Sequence, residues 1–200
     1  MLKLTYFMPL LVALATPATP ALASTQASGA PTGAAAAVML APDELMAFGP
    51  GWALRGSGVL RFFGFKAYDA NLWQLPGGRE FSYARPFALD IRYATSIKGA
   101  DIVNTSLIEL SRITPTPTEK LNAWSAFMNR IFVDVKSGDR LVGLHLPGRG
   151  VRFFLNGRLL GESSDEAFSE AFFKIWLDPQ TKRPELRLAL LGPSATAVAQ

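Results

Sequence analysis

The segment Val151–Glu162, VRFFLNGRLLGE, constrains this chain more than any other. Asn156-Gly157 separates two apolar runs, and both residues tolerate the positive φ angles of a two-residue hairpin turn. The flanking runs must then lie side by side and antiparallel. A lone hairpin is marginal in water, so the fold needs further strands and an apolar layer against them.

Further strands are legible. Arg140–Leu146 follows a turn at Ser137-Gly138-Asp139. Phe87, Leu89, Ile91 and Tyr93 alternate with Ala88, Asp90, Arg92 and Ala94, the period of a half-buried antiparallel strand. The stretch 56–73, GSGVLRFFGFKAYDANLW, sets Val59, Phe63 and Phe65 on one face and Leu60, Phe62 and Tyr68 on the other. A strand apolar on both faces reads as central or helix-covered, with Gly64 marking a bulge or a close backbone approach. Glu185–Leu191 reads as a closing strand with Leu186, Leu188 and Leu190 on one face.

The covering layer is helical. Ile102, Val103, Ser106, Leu107, Leu110 and Ile113 form one apolar stripe. Thr116-Pro117-Thr118-Glu119 has the form of a capping box with Pro at the first helical position. Leu121, Trp124, Phe127, Met128, Ile131 and Phe132 follow it at helical spacing. Ser163-Ser164-Asp165-Glu166 forms a second such box, opening a helix with Phe168, Ala171, Phe172, Ile175 and Trp176 inward that Asp178-Pro179 stops. The order of strands, two helices, strands, helix and strand implies an α+β fold: an antiparallel open-faced β-sheet with helices packed on one face. An apolar cleft with a few polar groups fits between the layers.

The ends carry separate signals. Lys3, the apolar run Leu4–Ala15 and the Ala-Leu-Ala site read as a secretory signal peptide over 1–23, against the alternative of a membrane anchor. The apolar run is shorter than the ~20 residues a span needs, and no later apolar run is long enough, so no stable membrane span is expected after cleavage. Residues 24–41 read as a flexible leader, 42–192 as the folded domain and 193–200 as a tail. The expected location is the periplasm or the cell exterior.

Composition removes several chemistries. The chain has no Cys and one His, His145, so zinc and iron sites are not expected, and no cofactor is indicated. The net charge of +4 is spread thinly, without the basic runs of a nucleic-acid interface. Gly56-Ser57-Gly58 lacks the third glycine of a dinucleotide loop and leads into a strand. Asp165 and Glu166 suit the dipole of a first helical turn better than an acid–base pair. His145 reads as a structural or exposed side chain before a catalytic one.

The stretch GSGVLRFFGFKAYDANLW and the block GDRLVGLHLPGRGVRFFLNGRLLGESSDEAFSEAFFKIWLDP together resemble bacterial chalcone isomerase-like proteins. The shared features are a Gly-x-Gly before an aromatic strand, a Gly-Asp, a Pro-Gly, an Asn-Gly hairpin and a Phe…Phe…Ile-Trp-Leu helix, over about Gly56–Gly192. The resemblance implies a sheet wrapped on one side by helices, with a ligand cleft between them. Plant members cyclise chalcones, other members bind fatty acids, and bacterial secreted members mostly lack an assigned reaction.

The resemblance also implies where the enzymes' polar groups would fall. Their Arg position is Leu60 here, with Arg61 one residue later on the opposite strand face. Their Thr position is Phe63, and their Tyr and Asn positions are Ile97 and Asn104. Arg61, Tyr68 and Asn104 are therefore ligand-binding candidates, with Lys66 and Arg152 as further cations able to meet a carboxylate. The expected function is non-catalytic binding of a lipophilic acid such as a fatty acid. An isomerase (intramolecular lyase) and a cell-envelope interaction protein remain alternatives, and the oligomeric state is open.

Overall fold

A computed structural model of the chain describes residues 39–78 and 80–192. The expected signal peptide, nearly all of the expected leader and the expected tail lie outside the described residues. Six strands form one sheet in the order of the sequence, each antiparallel to the next. They are β1 (Ala53–Phe62), β2 (Phe65–Gln74), β3 (Phe87–Tyr93), β4 (Arg140–Leu146), β5 (Gly150–Leu155) and β6 (Arg158–Ser163). Helices α1 (Gly99–Ile113) and α2 (Thr118–Ile131) connect β3 to β4, and α3 (Glu166–Leu177) and α4 (Pro184–Leu191) follow the sheet. No helix among the described residues is long and apolar enough to cross a membrane.

The larger core lies between the sheet and the four helices. Leu72, Leu89, Ile91, Phe153, Phe168 and Phe173 are fully or nearly fully buried there. A second core covers the other face, where Leu45 of a short 3-10 helix (Asp43–Phe48), Trp52 and Trp73 pack on Val142, Leu144 and Phe154. Arg140 clamps that 3-10 helix through Glu44 at 2.8 Å. β3 is consequently buried on both faces except at Arg92, instead of being half-buried as its alternation suggests.

Several local expectations change. The two-residue turn at Asn156-Gly157 is present, with φ of 50° and 82°. A second one occurs at Phe63-Gly64, φ 47° and 82°, so the stretch 56–73 is a hairpin rather than one strand with a bulge at Gly64. Pairing irregularities fall instead between Leu54 and Gly56 and between Leu60 and Arg61. β1 is an edge strand, not a central one.

Pro184–Leu191 is a helix, not a strand. Pro184 opens it, and Leu186, Leu190 and Leu191 share its buried side while Leu188 is exposed. A period-two leucine pattern in so short a segment also permits spacing of four, and packing on β1 selects the helix. Gly56 and Gly58 allow that packing, because a Cβ on Gly56 would lie 2.2 Å from Ala189 O.

Neither expected capping box forms. α2 begins after Pro117 without a side-chain cap, and Thr116 Oγ1 donates to Thr114 O. α3 is capped by Asp165, which accepts from Phe168 N at 3.0 Å, while Glu166 reaches out to Gly148 N. The aspartate shifts the cap by two residues and frees the glutamate for another loop.

Candidate functional site

The face of β2 that meets the helices carries Tyr68, and the neighbouring position on β3 is Tyr93. Their rings meet edge to face, 6.1 Å between centroids. From α3, Trp176 reaches across and donates its Nε1–H to Tyr68 Oη at 2.9 Å. Accepting that bond leaves the phenol's own proton to donate elsewhere. Burial pushes the Tyr68 phenol up to about 12 and raises Tyr93 as well. Both therefore stay neutral donors at physiological pH. Arg183, before α4, is near enough for its charge to oppose the rise at Tyr68.

Leu60 is directly opposite Tyr68 and packs partly buried against the main core. The position at which the resemblance implies the enzymes' arginine is thus apolar surface against a tyrosine. Ile97 also packs partly buried against the main core.

The three ligand-binding candidates are not brought together. Tyr68 lies between sheet and helices, as described. Arg61 is exposed beside the β1–β2 turn, donating from Nη1 to Gly64 O at 3.3 Å. Asn104 is exposed on α1. Lys66 is also at the hairpin end and pairs with Asp69 at 2.6 Å.

Arg152 belongs to the opposite side of the molecule. It pairs with Glu162 at 2.9 Å and lies over the Phe48 ring, 5.1 Å from its centroid. With Arg149, Phe48 and Pro147 it lines an open depression of about 530 Å³. A second depression, about 480 Å³, lies between Ile97-Lys98 and Asp134-Val135-Lys136. Lys98 and Asp134 close across it at 2.7 Å.

His145 is fully buried. Its Nε2 lies 2.7 Å from Tyr83 O and its Nδ1 2.7 Å from Ser169 Oγ. The carbonyl can only accept, so the neutral ring carries its proton on Nε2 and receives the serine hydroxyl at Nδ1. Burial pushes the imidazole below its ordinary value, and Phe87 stacks on it. That is a structural histidine, one of the two readings its isolation suggested.

On the outer face Asp90 is paired across the strands with Asn71, two positions from Trp73. Asp90 Oδ1 and Trp73 Nε1 are both buried and without a hydrogen-bond partner among the described residues. Burial raises the Asp90 carboxyl above its ordinary range, with Arg140 opposing the shift.

Sequence reasoning placed Trp176 in the core stripe and Tyr93 on a core face, and missed what their polar ends do. The available signal was chemical: a buried indole N–H needs an acceptor, and a tyrosine on an adjacent strand supplies one.

A family model described as chalcone isomerase-like matches residues 35–192. An uncharacterized protein of Haemophilus influenzae is 30% identical over 146 residues, covering 70% of this chain and 68% of the relative. In fold, the chain is similar to the crystal structure of a fatty-acid binding protein of Arabidopsis thaliana. The TM-score is 0.56 at 11% identity, over 72% of this chain and 88% of that one. The element order, the single antiparallel sheet with its helical layer and the match over most of the chain agree: this protein belongs to the chalcone isomerase-like family.

Proposed function

We propose that this protein is an exported, non-catalytic binder of a lipophilic carboxylic acid, a fatty acid being the simplest example. The acid's head is held at the Tyr68–Trp176 pair, and its chain lies between the sheet and the helices. The observation that carries the reading is this neutral phenol, oriented by Trp176 with its own proton left to donate, set in apolar surroundings with Leu60 directly opposite. The phenol's proton, left free because Tyr68 Oη accepts from Trp176, suits a carboxylate as a hydrogen-bond donor, while the surrounding apolar side chains suit an acyl chain. The fold shared with a fatty-acid binding protein supports the same reading.

Cyclisation of a chalcone needs a preorganised cation to hold the developing oxyanion. Leu60 cannot supply it, and Arg61 is engaged with the turn carbonyl at the exposed hairpin end. This favours binding over chalcone cyclisation.

Native mass spectrometry of the mature protein purified from cells tests the proposal. Co-purifying acids, or uptake of them from a fatty-acid mixture, are expected. A clean apo mass with no uptake overturns it, as does measurable conversion of a chalcone panel above background.

A further inference from the structure

The end of the β1–β2 hairpin exposes more aromatic surface than any packing role explains. Phe62, Phe63 and Phe65 are 58%, 87% and 79% exposed, and Val59 is 45% exposed beside them. Phe63 also occupies the first position of the turn at φ 47°, a conformation that costs a bulky L-residue energy and that Asn or Gly adopts more readily. The chain therefore keeps a ring at a strained position where it touches chiefly the neighbouring Phe62, 4.6 Å between centroids.

Two cations stand directly behind the rings. Arg61 and Lys66 are opposite one another in the strand register, and both are exposed. Arg61 braces the turn through Gly64 O, and Lys66 is held by Asp69. Rings at the tip and cations one step back form the order in which a bilayer interface changes from acyl chains to phosphates. Two residues of extended strand, roughly 7 Å, separate Phe63 from Arg61. That matches the ~5–10 Å to which an interfacial group is buried. The tip is a two-residue turn that presents these exposed rings together, and a lipid surface deforms around such a projection.

We propose that this hairpin tip docks the protein onto an anionic membrane surface, with Phe62, Phe63 and Phe65 inserted below the headgroups and Arg61 and Lys66 on the lipid phosphates. The proposal stands on the tip alone and does not require an acid bound at Tyr68.

Sedimentation of the mature protein with vesicles tests it, using phosphatidylcholine mixed with phosphatidylglycerol and phosphatidylcholine alone. The wild-type chain is expected to sediment with the mixed vesicles, and more weakly with phosphatidylcholine. Phe63→Asn combined with Phe65→Ser removes two inserted rings and lowers the partition coefficient at least about tenfold. Arg61→Glu with Lys66→Glu abolishes the preference for the anionic vesicles. Phe63→Asn alone creates an Asn-Gly turn, so its melting temperature should rise while vesicle binding falls, which separates docking from misfolding. Three results overturn the proposal: no sedimentation of the wild type, tip variants that sediment like it, or wild-type self-association in solution that the tip variants abolish. Sedimentation only with vesicles that contain envelope proteins overturns it in favour of a protein partner.

Discussion

Replacing Gly56 by alanine tests how α4 is held against the sheet beside the candidate site. The added Cβ would lie 2.2 Å from Ala189 O and 2.5 Å from Leu190 O, both backbone atoms. Ordinary contact begins at 3.4 Å, so the helix backbone must retreat by about 1.2 Å. A backbone cannot rotate aside as a side chain can. Retreat loosens Leu186, Leu190 and Leu191, all buried, and stretches the bond from Arg55 Nε to Leu191 O, now 2.9 Å. Overpacking of this kind costs about 1–3 kcal/mol, and a weakened hydrogen bond adds about 1 kcal/mol. A loss of about 3 kcal/mol is therefore expected for Gly56→Ala.

Gly64→Ala is the control. Nothing lies within 4 Å of a Cβ at Gly64, so only its positive φ of 82° is strained. That strain costs about 1 kcal/mol. Urea unfolding of the two variants measures the difference, with hydrogen exchange at the amides of α4 locating it. Equal losses for both variants, or unchanged protection in α4, would refute the packing argument.

Stability should rise with pH below neutrality because of His145. The unfolded chain takes up a proton near the ordinary value of 6.5, while burial holds the folded imidazole below it. As pH falls through that window the unfolded state binds more protons and the fold weakens, a slope that His145→Gln should flatten in melting curves. Asp90→Asn should raise the melting temperature at pH 7, because the folded carboxyl is shifted upward and its charged form is disfavoured. The wild type loses that increment as pH rises above the ordinary value of 3.8, so the advantage of the amide should shrink towards pH 4.

The sheet was legible where local chemistry decides it. Asn156-Gly157 specifies its turn, and Arg140–Leu146 forms the strand its pattern implies. The Phe63-Gly64 turn was hidden because phenylalanine is a poor turn former, and its aromatic neighbours read as the two faces of one strand. α4 was misread because spacings of two and of four both pass through Leu186 and Leu190. Its contact with Gly56 and Gly58 is a tertiary fact joining segments far apart in the chain.

The site was less legible than the fold. Tyr68 was named as a candidate, but Trp176 comes from α3 and meets it only after the helical layer closes. Arg61 and Asn104 were drawn towards it by the resemblance, and strand register and helix face leave both exposed. The outer face shows the same limit. Asp90 alternates with apolar residues as a solvent-facing position would, yet the 3-10 helix and Trp52 cover that face.

Titration of oleate into the mature wild-type protein and its Tyr68→Phe variant tests the binding reading most directly. Loss of a hydrogen bond to a charged head group corresponds to about tenfold or more in Kd. The account predicts a saturable wild-type isotherm and a Tyr68→Phe isotherm weakened by about that factor. Because the variant also deprives Trp176 Nε1 of its acceptor, its melting temperature should fall, and circular dichroism at the titration temperature checks that it is still folded. Equal affinities for the two proteins, or no uptake by the wild type, would contradict it.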